Sequence, residues 1–297
     1  MRFKDIAIKS AGIPLNPITG SFLKRYYASK LPLCSMKENE NIVVMVPHVD
    51  DETIGLGGTI RAHVESNSRV HVVLVTDGSQ SVSDLTADEL KAERRREMEK
   101  VKKVLGIQQV SYLDLKDGGI VPTEASNSRL KGILETEQPD IIYTNTFIDA
   151  HPDHTNTSLM LADMLQTVHL QKKPVIRLYE INCPIPPEFI NCVVNVSKTM
   201  KYKKKAITIF SSQAIAFDGF IKLNKYKRHL VKKKRISYAE AFIELDTEAF
   251  IKSAFHIKRH GYNFKAAFKQ ANRTETLLWA ITKSQAFKKE VYRKSLS

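Results

Sequence analysis

Ile42-Val43-Val44-Met45-Val46 is a continuous apolar run rich in β-branched residues. A strand buried on both faces, as in a parallel sheet, carries this pattern. Comparable runs recur at 70–76, 110–115, 140–144, 175–181 and 193–196. Between them lie stretches of helical character. One runs through Glu65. A long charged one from Thr86 to Leu105 turns Val101, Val104 and Leu105 inward and stops at Gly106. Others span Ser128 to Glu137 and Thr155 to Val168. Strands alternating with helices predict an α/β fold, a Rossmann-like, doubly wound, mostly parallel sheet. Ligands bind such sheets beyond the carboxyl ends of the strands.

The flanks are less regular. Residues 1–40 mix Pro, Lys and apolar residues, with a short helix expected over Ser21 to Ser29. Ile236 to Leu245 is mixed. From Thr247 onward the chain is helical in flavour, with Phe250, Phe255, Phe264, Phe268 and Trp279 among many Lys and Arg. A cap packed on the domain is the expected state, ahead of a helix lying on a membrane surface. The expected division is an N-terminal extension (1–40), a core domain (41–245) and a basic helical C-terminal extension (246–297). The 297 residues suffice for one full core with appendages. No apolar run reaches the length of a membrane span, and the start lacks the apolar core of a secretory signal. The cytoplasm is the expected compartment, with contact at the inner face of a membrane as a further expectation.

Charge sharpens that picture. The net charge is +14, and from Lys198 to Arg235 thirteen Lys and Arg face one acid, Asp218. Such a segment attracts anionic lipid headgroups or an anionic substrate; nucleic acid is not an expected partner. Cys34, Cys183 and Cys192 form no CxxC pair and are expected as plain thiols without a disulfide. Gly55-Leu56-Gly57-Gly58 is expected as a turn before the first core helix. It lacks both the GxGxxG spacing and the P-loop lysine, so no dinucleotide or ATP site is expected.

Two stretches carry chemistry. Pro47-His48-Val49-Asp50-Asp51-Glu52 follows the first core strand, and Asp149-Ala150-His151-Pro152-Asp153-His154 follows the strand near residue 144. A catalytic zinc takes three protein ligands, usually His with or without a carboxylate, and keeps one position for water. His48 and Asp51, three apart on a turn, can point at one ion. His151 and His154 have the same spacing at a helix start, where i and i+3 share a face. Asp50 remains over, as the base that hydrolysis needs. Either stretch alone also reads as a capped helix start; together, at equivalent strand ends, they point to a shared metal site.

His48-Val49-Asp50-Asp51-Glu52 resembles the HPDDE motif of the PIG-L/LmbE-like de-N-acetylases, and His151-Pro152-Asp153-His154 resembles their HPDH motif. Thr76-Asp77-Gly78, Arg94-x-x-Glu97, Ser212-Gln213 and Tyr238-Ala239-Glu240-Ala241-Phe242 are similar to further family motifs, so the likeness spans about residues 41 to 245. The resemblance implies zinc, with iron(II) as the alternative metal, held by His48, Asp51 and His154. It implies Asp50 as general base, and His151 as oxyanion stabiliser or proton donor to the leaving amine. Asp153 would orient His151 and keep it cationic. Arg94 and Asp77 would line the sugar pocket. Val49 replaces the usual Pro, and Phe210 stands where many members have His. The implied activity is removal of an acetyl group from an N-acetylated amino sugar, an N-acetylglucosamine conjugate, releasing acetate and a free amine. The rival expectation is a binding protein for an anionic polymer or membrane surface, with a non-catalytic metal site.

Overall fold

The computed structural model describes residues 17–80, 85–212, 216–232 and 235–297. Residues 1–16 of the N-terminal extension, Gln213 of the Ser-Gln motif, and Lys233 and Lys234 of the basic segment lie outside these. A seven-stranded sheet forms the centre, in the order β3-β2-β1-β4-β5-β7-β6. The strands are β1 (Asn41–Val46), β2 (Arg69–Thr76), β3 (Gln109–Leu115), β4 (Ile141–Asn145), β5 (Val175–Tyr179), β6 (Cys192–Asn195) and β7 (Ala239–Leu245). β1 pairs in parallel with β2 on one side and β4 on the other, with Ile42 opposite both Val70 and Ile141. β2–β3 and β4–β5 are parallel as well, while β7 is antiparallel to both β5 and β6. The expected α/β sheet is therefore present, with one antiparallel strand, β7, set between β5 and the edge strand β6.

The chain leaves β1 toward β2 and β3, then crosses back to β4 and β5. The carboxyl ends of β1 and β4 are thus neighbours at the point where the winding reverses, the place where open α/β sheets form a binding crevice. Both motifs emerge there. One enters α2 (Asp51–Glu65) and the other α5 (Pro152–Met164). Helices α3 (Ala87–Leu105) and α4 (Glu124–Glu137) complete the crossovers. Capping boxes at Thr86/Glu89 and Thr123/Ser126 start them.

Several expectations need correction. Gly55 to Gly58 lie inside α2, not in a turn before it, with a kink at Leu56 (φ −148°). The small residues seat the helix on the sheet. A Cβ at Gly55 would lie 2.4 Å from Tyr179 Cδ2, and one at Gly58 would lie 2.7 Å from Val196 Cβ. The stretch read as mixed contains β7. Its pattern is disguised because Glu240 is fully buried within it. That carboxylate accepts the N–H groups of Gly58 (3.2 Å) and Thr59 (2.7 Å), the Thr59 hydroxyl (2.6 Å) and Lys203 Nζ (2.6 Å). Lys203 also donates to the Ile54 carbonyl at 2.7 Å.

The basic segment is therefore not all surface. Lys203, in α6 (Met200–Ile207), is buried, and so is Lys227, in α7 (Asp218–Lys227), which pairs with Glu180 at 2.8 Å. The cysteines are not all free thiols either. Cys34 and Cys192 form a disulfide with a Cα–Cα distance of 5.6 Å. The segment leading to β1 runs along the β6 edge, and the Cys34 N–H donates to the Val193 carbonyl at 2.8 Å. Toward the N-terminus, α1 is helical over 17–26, a few residues ahead of the expected helix.

Beyond β7 come α8 (Thr247–His260), α9 (Phe264–Ala267), α10 (Leu277–Thr282) and α11 (Gln285–Leu296). They pack on the sheet domain as the expected cap. Phe250 stacks on Phe147 with ring centres 5.1 Å apart, and Phe264 and Phe268 are buried, while Phe255 and Trp279 are exposed. No helix among the described residues is long and apolar enough to cross a membrane.

Candidate active site

The two motifs close on one another at the β1/β4 crevice. Asp51 Oδ2 lies 3.2 Å from His48 Nδ1 and 3.4 Å from His154 Nε2. Ligand atoms about 2.0 to 2.1 Å from a tetrahedral zinc stand about 3.3 Å from one another. Asp51 thus stands at a spacing from each histidine that suits two donors of one ion. Ring nitrogens of His48, His151 and His154 also lie within 4.8 Å of one another. The far nitrogens of both candidate ligands face carboxylates, as metal-binding imidazoles commonly do. His48 Nε2 is 3.1 Å from Asp117 Oδ1 and 3.4 Å from Asp153 Oδ2. His154 Nδ1 is 3.2 Å from Asp149 Oδ1.

Local backbone geometry aims these groups. Asp50 adopts φ 122°, a conformation rarely taken by an L residue. Strain of this kind, of order 1–3 kcal/mol, persists where the surroundings fix it. Here the Asp50 N–H donates to Glu52 Oε2 at 3.1 Å, and the Asp50 carbonyl accepts from Thr53 and Ile54 at the start of α2. Glu52 is fully buried, and its burial raises its pKa to about 7. Pro152 at the first position of α5 and His151 at its N-cap set the second motif, with His151 Nδ1 accepting the Asp153 N–H at 3.3 Å.

The electrostatics describe a site that favours a cation. Burial, then the neighbouring Asp51 and Glu52, hold the Asp50 carboxyl well above the carboxylate range. Burial opposes charge on His48, but Asp117, Asp153 and Asp51 override it and raise its pKa well above the usual value. His154 is raised too, Asp149 and Asp51 outweighing its burial. His151 is lowered by burial and by the charges of His48 and His154.

A cleft of about 180 Å³ opens over these residues. His48, Asp50, Asp51, His151 and His154 form its floor, and Arg94 joins them on one wall. Arg94 is buried, with Nη1 4.0 Å from Asp117 Oδ2. Asp77 is not brought to the cleft. Its carboxylate accepts the Ser79 N–H of its own turn at 3.1 Å and lies 3.8 Å from Lys91 Nζ. The Asp153 carboxylate sits on the His48 side, accepting the N–H groups of Gly118 (2.8 Å) and Ile120 (3.4 Å). Phe210 is buried against Phe217 and does not line the cleft, while Val49 is buried behind the motif.

The motif residues away from the cleft brace it. Glu97 accepts Ser211 Oγ (3.1 Å), the Ser212 N–H (2.8 Å) and Ser212 Oγ (2.6 Å), tying α3 to the loop after α6. Sequence reading missed Asp117, Gln80, Asn182, Phe220 and Gln270, all at the cleft. Asp117 carried a usable signal, since Asp117-Gly118-Gly119 follows the end of β3 as Asp50 follows β1. Nothing in the local sequence marks Gln270.

The PIG-L family (GlcNAc-PI de-N-acetylase) matches residues 43–165. A diacetylchitobiose deacetylase from Thermococcus kodakarensis is 25% identical over 190 residues, 59% of this chain and 70% of the relative. A probable N-acetyl-α-D-glucosaminyl L-malate deacetylase from Bacillus anthracis is 26% identical over 147 residues, 47% of this chain and 65% of that one. The structure of N,N′-diacetylchitobiose deacetylase from Pyrococcus horikoshii, complexed with an inhibitor, superposes with a TM-score of 0.58 at 24% identity. It covers 70% of this chain and 85% of its own, a likeness of fold. From within β1 to the end of α5, with both motifs inside its bounds, this chain matches the PIG-L family of de-N-acetylases.

Proposed function

We propose that the protein is a zinc-dependent hydrolase that removes the acetyl group from an N-acetylated amino sugar, an N-acetylglucosamine conjugate. The observation that carries this reading is the placement of Asp51 between His48 and His154, with Asp50 on the same cleft but outside that set. His48, Asp51 and His154 would hold the ion, and iron(II) suits the same donors. When bound, the ion supplies Lewis-acid polarisation of the acetamide carbonyl and acidifies water.

The chain's own groups do the rest. Asp50 takes a proton from the attacking water, and the new C–O bond forms as the carbonyl π pair moves onto oxygen. His151 Nδ1 accepts the Asp153 N–H, so the ring proton sits on Nε2. That N–H donates to the developing oxyanion. Collapse breaks the C–N bond, and the proton held by Asp50 passes to the leaving nitrogen, giving acetate and a free amine. Asp153 and Asp117 orient His48 through its far nitrogen, and Arg94 is placed to donate to sugar hydroxyls. Exposed Lys201, Lys204 and Lys205 on α6 suit an anionic group elsewhere on the conjugate or an anionic membrane face.

The test separates the roles. Asp50→Ala should keep stoichiometric metal and lower kcat by about 10²- to 10⁴-fold, the contribution of a general base. Unchanged turnover in that variant would remove Asp50 from the chemistry.

A further inference from the structure

The C-terminal region lies outside the family match, yet it builds one wall of the cleft. The segment between α9 and α10 returns to the carboxyl end of the sheet. Its Ala271 N–H donates to the Asn182 carbonyl at 3.1 Å, and its Asn272 carbonyl accepts the Gly219 N–H at 3.0 Å. Contact there is close enough that a Cβ at Gly219 would lie 2.3 Å from the Ala271 carbonyl oxygen. Phe268 and Ala271 are buried, so the backbone on either side of Gln270 is fixed. The Gln270 side chain is exposed and lines the cleft. Its amide makes no hydrogen bond among the described residues, in contrast to Asn182, whose Nδ2 is committed to Asp149 at 2.8 Å. Phe220, from α7, adds an aromatic side chain to the same cleft.

A free primary amide offers one acceptor and two donors, the complement of a vicinal diol. An aromatic side chain lining the same cleft suits the apolar C–H face of a pyranose. We infer that Gln270 is a specificity-determining residue that hydrogen-bonds hydroxyls of the substrate's sugar, away from the reacting acetamide. This rests on the deacetylase reading and deepens it.

The experiment compares Gln270→Ala with the metal-loaded wild type on N,N′-diacetylchitobiose, N-acetylglucosamine and N-acetylethanolamine, which has no ring. Loss of a neutral hydrogen bond is worth about three- to tenfold. The expected result is a fall in kcat/KM of about that size on the sugars, carried by KM. N-acetylethanolamine turnover, metal content and Tm should be unchanged, and Gln270→Glu, which keeps an acceptor, should recover part of the loss. Equal kcat/KM for wild type and Gln270→Ala on every sugar would overturn the inference. So would the same loss on the ringless amide, which would mark a general structural effect. No acetate from any substrate with wild type would instead overturn the deacetylase reading, and the inference with it.

Discussion

Replacing Glu240 by Ala should destabilise the protein far more than replacing its partner Lys203 by Met. In an unbroken helix the Gly58 N–H would pair with the Ile54 carbonyl. At the kink in α2 the two groups have outside partners, Glu240 for the first and Lys203 for the second. Glu240→Ala strands a buried ammonium with the Ile54 carbonyl alone, and it takes an acceptor from two amides and the Thr59 hydroxyl. Breaking a buried pair costs about 3–5 kcal/mol, and each orphaned polar group about 1–3 kcal/mol more. A loss above about 5 kcal/mol follows, comparable to the whole stability of many domains. Lys203→Met breaks the same pair but leaves the carboxylate with three donors, and Met restores apolar volume, so a loss at the low end of that range, about 3 kcal/mol, is expected. Burial already pulls the Lys203 pKa down, against the pull of Glu240. Urea unfolding followed by far-UV circular dichroism measures both losses. Equal losses, or a larger one for Lys203→Met, would refute the reasoning. The result bears on function because this pair anchors the helix whose first turn presents Asp50 and Asp51.

Three further outcomes are expected. His63 is buried, with Nε2 2.8 Å from the Tyr143 hydroxyl, which accepts from Arg177 at 2.8 Å; burial and then Arg177 lower its pKa to about 3. The unfolded chain binds a proton on His63 below about pH 6.5 and the folded chain does not, so stability falls with pH by up to about 1.4 kcal/mol per unit down to the folded pKa. His63→Gln should flatten that acid slope in pH-dependent denaturation, and an unaltered slope would contradict the assignment. The Cys34→Ala/Cys192→Ala variant should lose about 2–5 kcal/mol, since the bridge closes a long loop; free-thiol titration of the unfolded, unreduced protein should find one thiol, and three would refute the bridge. His154→Ala should bind zinc at least about 100-fold more weakly by competition with a chromogenic chelator, and wild-type affinity would remove His154 from the ligand set.

The core of the site was legible because its residues lie at strand ends, where a buried apolar run gives way to a polar cluster. Ile42 to Val46 followed by His48, and the strand ending at Asn145 followed by His151, announce themselves in that way. β7 was not legible, since Glu240 breaks its apolar run and is buried only because Lys203 and the kinked α2 come to meet it. The disulfide joins positions 158 apart, and pairing at that separation depends on which edge strand the N-terminal segment follows. The glycines of α2 read as a turn because their role is contact with Tyr179 and Val196, which local pattern does not encode. Gln270 was invisible for the same reason: its place depends on the return of the C-terminal segment to Asn182.

The proposed reaction is hydrolysis of an acetamide at the His48–Asp51–His154 site. Acetate release from N-acetylglucosamine conjugates by the zinc-loaded protein, with and without a chelator, tests it most directly. Release from at least one conjugate is expected, abolished by chelation and restored by zinc. Release that persists after complete removal of metal, or none from any conjugate with one zinc bound per chain, would contradict it.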